Sequence, residues 1–240
     1  MANFVLVHGS FHGPWCWSHI VPLLEARGHS AVAPDLADTK NNPDLHDYAT
    51  LVVDTIVKIG GPVILVGHSM GGLVITQVAE LVPEHLSALV YVSGLLLRNG
   101  ETLQTFLNAH AYLDVDDLVL KNMKLSEDGK LASFPAEAAP SVFYNRCTRD
   151  DVGRAVAQLR AQPTAVYTTP LAISPQKFGA VPRYYAECTD DRAVSVKYQR
   201  QMLANTPCKK IYNLDADHSP FLSDIDGLMT CLLDVTSCTK

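Results

Sequence analysis

The stretch from residue 63 to residue 72, Val-Ile-Leu-Val-Gly-His-Ser-Met-Gly-Gly, restricts the fold more than any other part of the chain. Its apolar start predicts a buried strand, and residues 70–81 predict a helix that follows almost at once. Such a connection needs a very tight turn, whose central residue takes a positive φ at a cost of about 1–3 kcal/mol. Gly67 and Gly71 let the neighbouring backbones approach, so we expect the turn to lift the Ser69 hydroxyl clear of the sheet.

The rest of the chain repeats the order of strand then helix. Apolar runs predict strands at residues 4–8, 30–33, 63–66, 88–92, 183–187 and 210–214. Helical patterns cover residues 17–27, 48–59, 70–81 and 194–205, and a last one begins at residue 220. Because the strand residues are mostly continuously apolar, we expect helices to cover both faces of the sheet. The predicted fold class is α/β, with a mostly parallel, doubly wound sheet.

Residues 94–178 break this order and predict an insertion. They hold Asp-rich and Pro-rich segments, helical stretches near residues 150–161 and no convincing strand. A disordered linker is the alternative interpretation, but the aromatic content of the segment argues against it. These aromatic side chains are Phe106, Tyr112, Phe134, Phe143, Tyr144 and Tyr167. We therefore expect residues 1–93 and 179–240 to form the core and residues 94–178 to form a helical cap, or lid.

Composition argues against several classes of function. The net charge is −6 and no basic stripe is present, so nucleic acid is not an expected partner. No apolar run reaches the ~18–20 residues of a membrane span, and the N-terminus is typical of a first strand rather than a signal peptide. The six cysteines form no Cys-x-x-Cys pair, which favours reduced thiols over a structural disulfide. We expect a cytoplasmic protein without membrane association, and a homodimer is compatible with the sequence.

Ser69 needs a base, and nine histidines compete for that role. His218 follows the last predicted strand and precedes the last helix, at the sheet edge where reactive groups converge in doubly wound folds. In a serine site on such a turn the acid comes between serine and histidine in the chain. Asp190 and Asp191 follow the strand at residues 183–187, and either could instead cap a helix. The spacing favours Asp191.

An oxyanion needs two hydrogen-bond donors. One is the backbone N–H of the residue after the nucleophile, Met70. The other is expected from the loop at residues 8–13, His-Gly-Ser-Phe-His-Gly, although an ordinary glycine-rich loop is the alternative. No dinucleotide-binding or phosphate-binding glycine motif is found, so we expect neither a cofactor nor a metal.

Four segments together resemble the α/β-hydrolases of the plant methylesterase and hydroxynitrile lyase group, to which small bacterial carboxylesterases are related. They are Leu-Val-His-Gly-Ser-Phe-His-Gly-Pro-Trp-Cys-Trp from residue 6, Gly-His-Ser-Met-Gly-Gly from residue 67, Cys-Thr-Asp-Asp from residue 188 and Asp-Ala-Asp-His from residue 215. The likeness covers both ends of the chain well and the cap poorly. It implies an α/β-hydrolase fold with Ser69 as nucleophile, His218 as base and Asp191 as acid. It also implies an oxyanion hole formed by the backbone N–H groups of Ser10 and Met70.

With these residues in place, we expect a serine carboxylesterase that works through an acyl-enzyme. The Phe, Tyr and Leu side chains of the cap predict an apolar pocket above Ser69, and therefore small apolar, aryl or methyl esters as substrates. Two alternatives stay open: cyanohydrin cleavage, and a small-ligand receptor with slow hydrolysis. The lyases of the group carry threonine where this chain has Gly9 and lysine where it has Ser219, and both departures favour hydrolysis. The cap is shorter than in the plant proteins, so the acyl and alcohol groups do not follow from the resemblance.

Overall fold

The computed structural model describes residues 1–39 and 42–238. In chain order, the strands of these residues are β1 Asn3–Val7, β2 Ser30–Val32, β3 Val63–His68, β4 Leu86–Val92, β5 Lys124–Leu125, β6 Leu131–Ser133, β7 Gln162–Pro163, β8 Arg183–Cys188 and β9 Lys210–Leu214. The α-helices are α1 Ile20–Glu25, α2 Leu45–Ile59, α3 Gly71–Leu81, α4 Leu103–His110, α5 Leu118–Asn122, α6 Ala139–Phe143, α7 Arg149–Val156, α8 Ala165–Thr168, α9 Val196–Asn205, α10 Pro220–Ser223 and α11 Ile225–Cys238. Short 3-10 helices lie at Pro14–Trp17, Leu36–Asp38, Pro83–His85, Ala111–Leu113 and Phe178–Ala180.

The main sheet has six strands in the order β2-β1-β3-β4-β8-β9, and every pairing within it is parallel. The prediction of a mostly parallel α/β sheet is confirmed. The strand order changes direction between β1 and β3, where Val7 pairs with Gly67. Ligands bind at the carboxyl ends of strands beside such a switch point. The fold therefore brings the loop after β1 and the turn after β3 to the same crevice.

Alternate residues of the central strands belong to two separate hydrophobic layers. On β1, Phe4 and Leu6 pack in a cluster that includes α1 and α11. Val5 and Val7 of the same strand pack in the cluster of α2 and α3. All four side chains are fully buried. A strand covered on both faces has no solvent-facing side, which explains why its sequence is continuously apolar.

The first predicted helix is shorter than residues 17–27. Pro14–Trp17 forms a 3-10 helix, and the α-helix spans only Ile20–Glu25. The helix ends before Gly28, which has a φ of 78°. A glycine in this left-handed conformation is the usual way to end a helix, so the expected stop is observed although the expected start is wrong.

The segment between β4 and β8, which we interpret as the cap, is not purely helical. It contains α4 to α8, but β5, β6 and β7 also form a three-stranded antiparallel sheet. The expectation that this segment holds no strand is therefore wrong. These strands have only two or three residues each, too few for an alternating pattern to be visible in the sequence.

The turn between β3 and α3 is packed backbone against backbone. A Cβ atom on Gly67 would lie 2.6 Å from the carbonyl oxygen of Gly71. On Gly72 it would lie 2.6 Å from both the backbone nitrogen and the carbonyl oxygen of Leu95. At the apex, Ser69 has a φ of 52°, the positive value expected from the sequence. Glycine at these positions permits the close approach that keeps the apex strained.

We expect Gly72→Ala to lower the free energy of unfolding by about 1–3 kcal/mol, because the added methyl group meets backbone atoms that cannot turn away. Urea denaturation monitored by circular dichroism measures this change. Gly153→Ala is the matched control, since a Cβ at Gly153 in α7 meets no atom within 4 Å. The control should leave stability unchanged or raise it by up to ~1 kcal/mol. Equal stabilities for the two variants would contradict the account of the turn.

Candidate active site

Ser69 is held at the mouth of the crevice by its own backbone. Its N–H donates to the carbonyl oxygen of Val92 at 3.2 Å, which ties the turn to the end of β4. Its carbonyl oxygen accepts from the N–H groups of Gly72 and Leu95, both at 2.9 Å. The Ser69 side chain lines a cavity between the sheet edge and the cap. The backbone is thus fixed on three sides while the side chain faces open space.

His218 and Asp191 form a buried hydrogen-bonded pair. The distance from His218 Nδ1 to Asp191 Oδ2 is 2.8 Å. The two residues are 2% and 6% exposed, respectively. Because an ionised carboxylate can only accept, Nδ1 carries a hydrogen, and the lone pair of the uncharged form of the ring is on Nε2. That is the tautomer a general base needs.

The Asp191 carboxylate accepts hydrogen bonds on both of its oxygens. Oδ1 accepts from the backbone N–H groups of Ala193 at 2.7 Å and Val194 at 2.8 Å. Oδ2 accepts from the Ser93 hydroxyl as well as from His218. Gln199 Nε2 lies 3.5 Å from the same oxygen. These donors fix the direction in which the carboxylate holds His218.

Asp190, the other candidate acid, faces away from His218. It is 42% exposed on its side chain. Its Oδ2 accepts from Asn145 Nδ2 at 3.1 Å. Arg146 Nη1 lies 4.0 Å from the same oxygen, and Arg192 Nε lies 3.9 Å from Oδ1. Of the two neighbouring aspartates, the structure brings only Asp191 to the histidine.

Ser69 and His218 line the same cavity without a hydrogen bond between their side chains in the part of the chain that the structure describes. Catalytic hydrogen bonds are often long in unliganded sites and tighten when substrate binds. The structure thus brings together Asp191 and His218 as a bonded pair, with Ser69 beside them in the cavity.

His68 supports His218 from behind. The two ring centroids are 4.6 Å apart, and His68 Nε2 donates to the carbonyl oxygen of His218 at 2.7 Å. His68 is fully buried, and its Nδ1 has no partner among the described residues. Burial lowers the pKa of His68 well below its usual value, and positive charge on His218 would lower it further. His68 therefore stays neutral, and its hydrogen bond holds the backbone at His218 in place.

The residues of the expected oxyanion donors are close to Ser69: Met70 follows it in the chain, and a Cβ atom on Gly9, which precedes Ser10, would lie 2.8 Å from Ser69 Cβ. Ser10 and Met70 both line the cavity. Within residues 1–39 and 42–238, neither backbone N–H donates a hydrogen bond to a protein acceptor. Met70 also immediately precedes α3, whose N-terminus carries partial positive charge. Two N–H groups left unbonded in one cavity can receive the oxygen of a ligand.

Cap residues hold the Ser10 loop in place. Tyr167 donates to Ser10 Oγ at 2.8 Å. His12 Nδ1 donates to the carbonyl oxygen of Ser10 at 2.7 Å, so its Nε2 accepts from the Tyr144 hydroxyl at 2.9 Å. Burial lowers the pKa of His12 to about 3, so its ring is neutral at pH 7. Tyr144 and Tyr167 thereby connect the cap to the proposed donor loop.

Arg160 makes a third connection from the cap to this loop. Its backbone N–H donates to the carbonyl oxygen of Phe11, and its Nε donates to that of His12, both at 3.0 Å. The guanidinium also pairs with both carboxylate oxygens of Asp35. Hydrogen bonding to His8, together with the Arg160 contact, holds the pKa of Asp35 well below its usual range. This bidentate ion pair fixes the guanidinium beneath the loop.

The cavity has a volume of about 420 Å³ and a mostly apolar lining. Aromatic rings contribute much of its wall, together with leucine and methionine side chains from the cap. The rings are those of Phe11, Phe106, Phe143, Tyr167 and Tyr198. Asp117 is the one carboxylate, and no lysine or arginine lines the cavity among the described residues. The space suits a small uncharged or cationic molecule.

The described residues contain neither a metal-ligating cluster nor a helix able to span a membrane. No group of three or more histidine, cysteine or carboxylate side chains there could hold a metal ion. No helix in that part of the chain has both the length and the apolar character needed to cross a bilayer. All six cysteines lie within the described residues, and each is a free thiol.

The sequence did not single out several residues that support the site. Ser93 and Gln199 contact Asp191, and Tyr144 and Arg160 hold the Ser10 loop. Each is an ordinary polar residue far from its partner in the chain, and no motif marks it. His68 lies next to Ser69, and this adjacency was the one signal that could have drawn attention to it.

Comparison with known proteins places this geometry in a family. A family model described as "Alpha/beta hydrolase family" matches residues 4–228. Methylesterase 7 from Arabidopsis thaliana is 32% identical over 255 residues, which cover 97% of this chain and 95% of the relative. Putative methylesterase 11, chloroplastic, from the same plant is also 32% identical, over 249 residues and 97% of this chain, but this chain spans only 63% of that relative.

A solved structure agrees with these relatives. The crystal structure of a pyrethroid hydrolase from Sphingobium faniae JZ-2 matches with a TM-score of 0.85 and 26% identity. The match covers 98% of this chain and 97% of the other. The chain belongs to the α/β hydrolase family, in the group that contains the plant methylesterases.

Proposed function

We propose that this protein is a serine carboxylesterase that hydrolyses small apolar, methyl or aryl esters through an acyl-enzyme. The observation that carries the proposal is the 2.8 Å bond from His218 to Asp191 beside Ser69 in a mostly apolar cavity. The names of the relatives support ester hydrolysis, since they include methylesterases and a pyrethroid hydrolase.

In the proposed mechanism, Ser69 Oγ attacks the ester carbonyl carbon while His218 Nε2 takes its proton. The backbone N–H groups of Ser10 and Met70 stabilise the oxyanion of the tetrahedral intermediate. The intermediate collapses to an acyl-enzyme, and His218 gives its proton to the departing alcohol. Water then attacks the acyl-enzyme with His218 again as base, which releases the acid. Asp191 keeps the imidazole in its tautomer and stabilises the imidazolium that forms twice in each cycle.

Cyanohydrin cleavage is less well supported than hydrolysis. A Cβ atom at Gly9 would lie 2.8 Å from both His68 Nδ1 and Ser69 Cβ, so the threonine of the lyases does not fit here without rearrangement. Ser219, which stands where the lyases have lysine, is fully buried, and its hydroxyl has no partner among the described residues. The site thus has no cation at that position to stabilise cyanide as it leaves.

We expect Ser69→Ala to lower kcat for p-nitrophenyl acetate by about 10⁴-fold or more, because the acyl-enzyme can no longer form. Stopped-flow and steady-state absorbance at the nitrophenolate band measure the change, and circular dichroism checks the fold. Continued turnover at the native rate in the variant would overturn the role of Ser69. A native burst followed by negligible steady turnover would instead favour a receptor with slow hydrolysis, and cyanide release from mandelonitrile would favour a lyase.

The two neighbouring aspartates offer a matched pair. We expect Asp191→Asn to lower kcat/KM by about 10³- to 10⁴-fold, because an amide cannot hold His218 in the required tautomer. Asp190→Asn removes the same charge from a partly exposed position and should change kcat/KM by less than about threefold. Steady-state kinetics on a single p-nitrophenyl ester measure kcat/KM for both variants. A larger loss in Asp190→Asn than in Asp191→Asn would mean that Asp190 is the acid.

The cavity volume sets an expectation for substrate size. Short-chain, aryl and pyrethroid-type esters should be hydrolysed with higher kcat/KM than emulsified long-chain triglycerides, because about 420 Å³ cannot enclose the latter. A panel that also contains methyl esters and aryl carbamates, assayed by pH-stat titration, compares these classes. A preference for emulsified triglycerides would contradict the proposed substrate class.

A further inference from the structure

We propose that Asp117 makes the cap side of the cavity a subsite for a protonated amine or quaternary ammonium group on the ester substrate. The inference narrows the substrate class and rests on the proposed esterase function. It starts from the composition of the cavity wall, in which Asp117 is the one acidic side chain and faces no lysine or arginine among the described lining residues.

Among the described residues, the hydrogen-bond partner of the Asp117 carboxylate is a neutral backbone group. Its Oδ1 caps α5 by accepting from the backbone N–H of Leu120 at 2.9 Å. Within the described residues, Asp117 makes no ion pair, since the nearby cation Lys121 pairs with Asp116 instead. Burial raises the pKa of Asp117, and the charge of Asp114 raises it further. A carboxylate in this position is stabilised by any cation that enters the cavity.

Aromatic rings line the same cavity as the Asp117 carboxylate. Phe106 and Tyr198 line the same cavity, with ring centroids 5.8 Å apart in an edge-on arrangement. Burial, and then the charges of Asp117 and Asp114, raise the pKa of Tyr198 to about 12. Aromatic faces combined with a carboxylate are the surroundings in which proteins bind ammonium groups.

The same wall disfavours an anionic substrate. A carboxylate-bearing ester would enter a low-dielectric space with no cationic side chain in its described lining. The neutral resting state of His12 and His68 keeps the surroundings of the reactive groups without compensating positive charge. The subsite thus discriminates by charge. Cationic esters bind more tightly than neutral esters, neutral esters are accepted, and anionic esters are excluded.

The test compares acetylcholine with its uncharged isostere, in which a carbon atom replaces the nitrogen. For the acyl side, it compares the methyl ester of trimethylammoniobutanoate with its own carbon isostere. The measured quantity is the ratio of kcat/KM for the cationic ester to that for the neutral one. We expect Asp117→Asn to lower this ratio about 5- to 10-fold for at least one pair, as for the loss of one partly exposed charge contact beside aromatic rings.

Asparagine is chosen because it caps a helix as well as aspartate does, so α5 should keep its start. Asp116→Asn is the matched control: it removes one charge from the adjacent, exposed residue that pairs with Lys121. The control should leave the ratio unchanged. A ratio that is the same in the native protein and in Asp117→Asn for both pairs would overturn the subsite while leaving the esterase function intact.

A binding measurement separates this inference from the proposed function. Calorimetric titration of Ser69→Ala with choline, and with its carbon isostere, reports the subsite without hydrolysis. We expect choline affinity to fall about 5- to 10-fold when Asp117→Asn is added, with no change for the isostere. If choline affinity falls in this way but the native protein hydrolyses no ester, the subsite is supported and the proposed function is wrong. No fall would overturn the subsite in either case.

Discussion

The close contact of glycine backbones at the turn after β3 sets the position of the other groups in the candidate site. Because no side chain separates Gly72 from Leu95, the start of α3 rests directly on the chain that leaves β4. The same contact brings Ser69 next to Val92, and the following residue, Ser93, then reaches Asp191. A local steric condition at this turn thus determines where Ser69 lies relative to Asp191, the residues proposed as nucleophile and acid.

The electrostatics of the site follow from burial. Three imidazoles lie near one another, but only His218 has a carboxylate partner. His12 and His68 remain neutral because burial penalises their charged forms. Each therefore acts through a fixed tautomer, as a donor to a backbone carbonyl oxygen. Positive charge that develops during a reaction is thereby confined to the ring that has a carboxylate beside it.

The sequence predicted the framework well because the framework depends on local patterns. The core strands are mostly apolar, and the turn at Ser69 depends on glycines within three residues of it, so both are recognisable from the sequence. The cap was predicted less well. Strands β5 and β6 form a hairpin whose Asp128-Gly129 turn signals it, but two-residue pairings leave no periodicity. Supporting residues such as Ser93 and Arg160 act only across long sequence separations, which composition and spacing cannot detect.

The cap of this protein does more than form the roof of a cavity. Tyr144, Tyr167 and Arg160 all belong to the insertion, and all three bond to the loop at residues 8–13. In evolutionary terms, the insertion cannot vary as an independent module, because changes that reshape the pocket also loosen the loop that binds the oxyanion in the proposed mechanism. Exchanging the whole insertion between relatives would therefore transfer substrate selectivity without loss of the catalytic rate only if the exchanged segment kept these three residues.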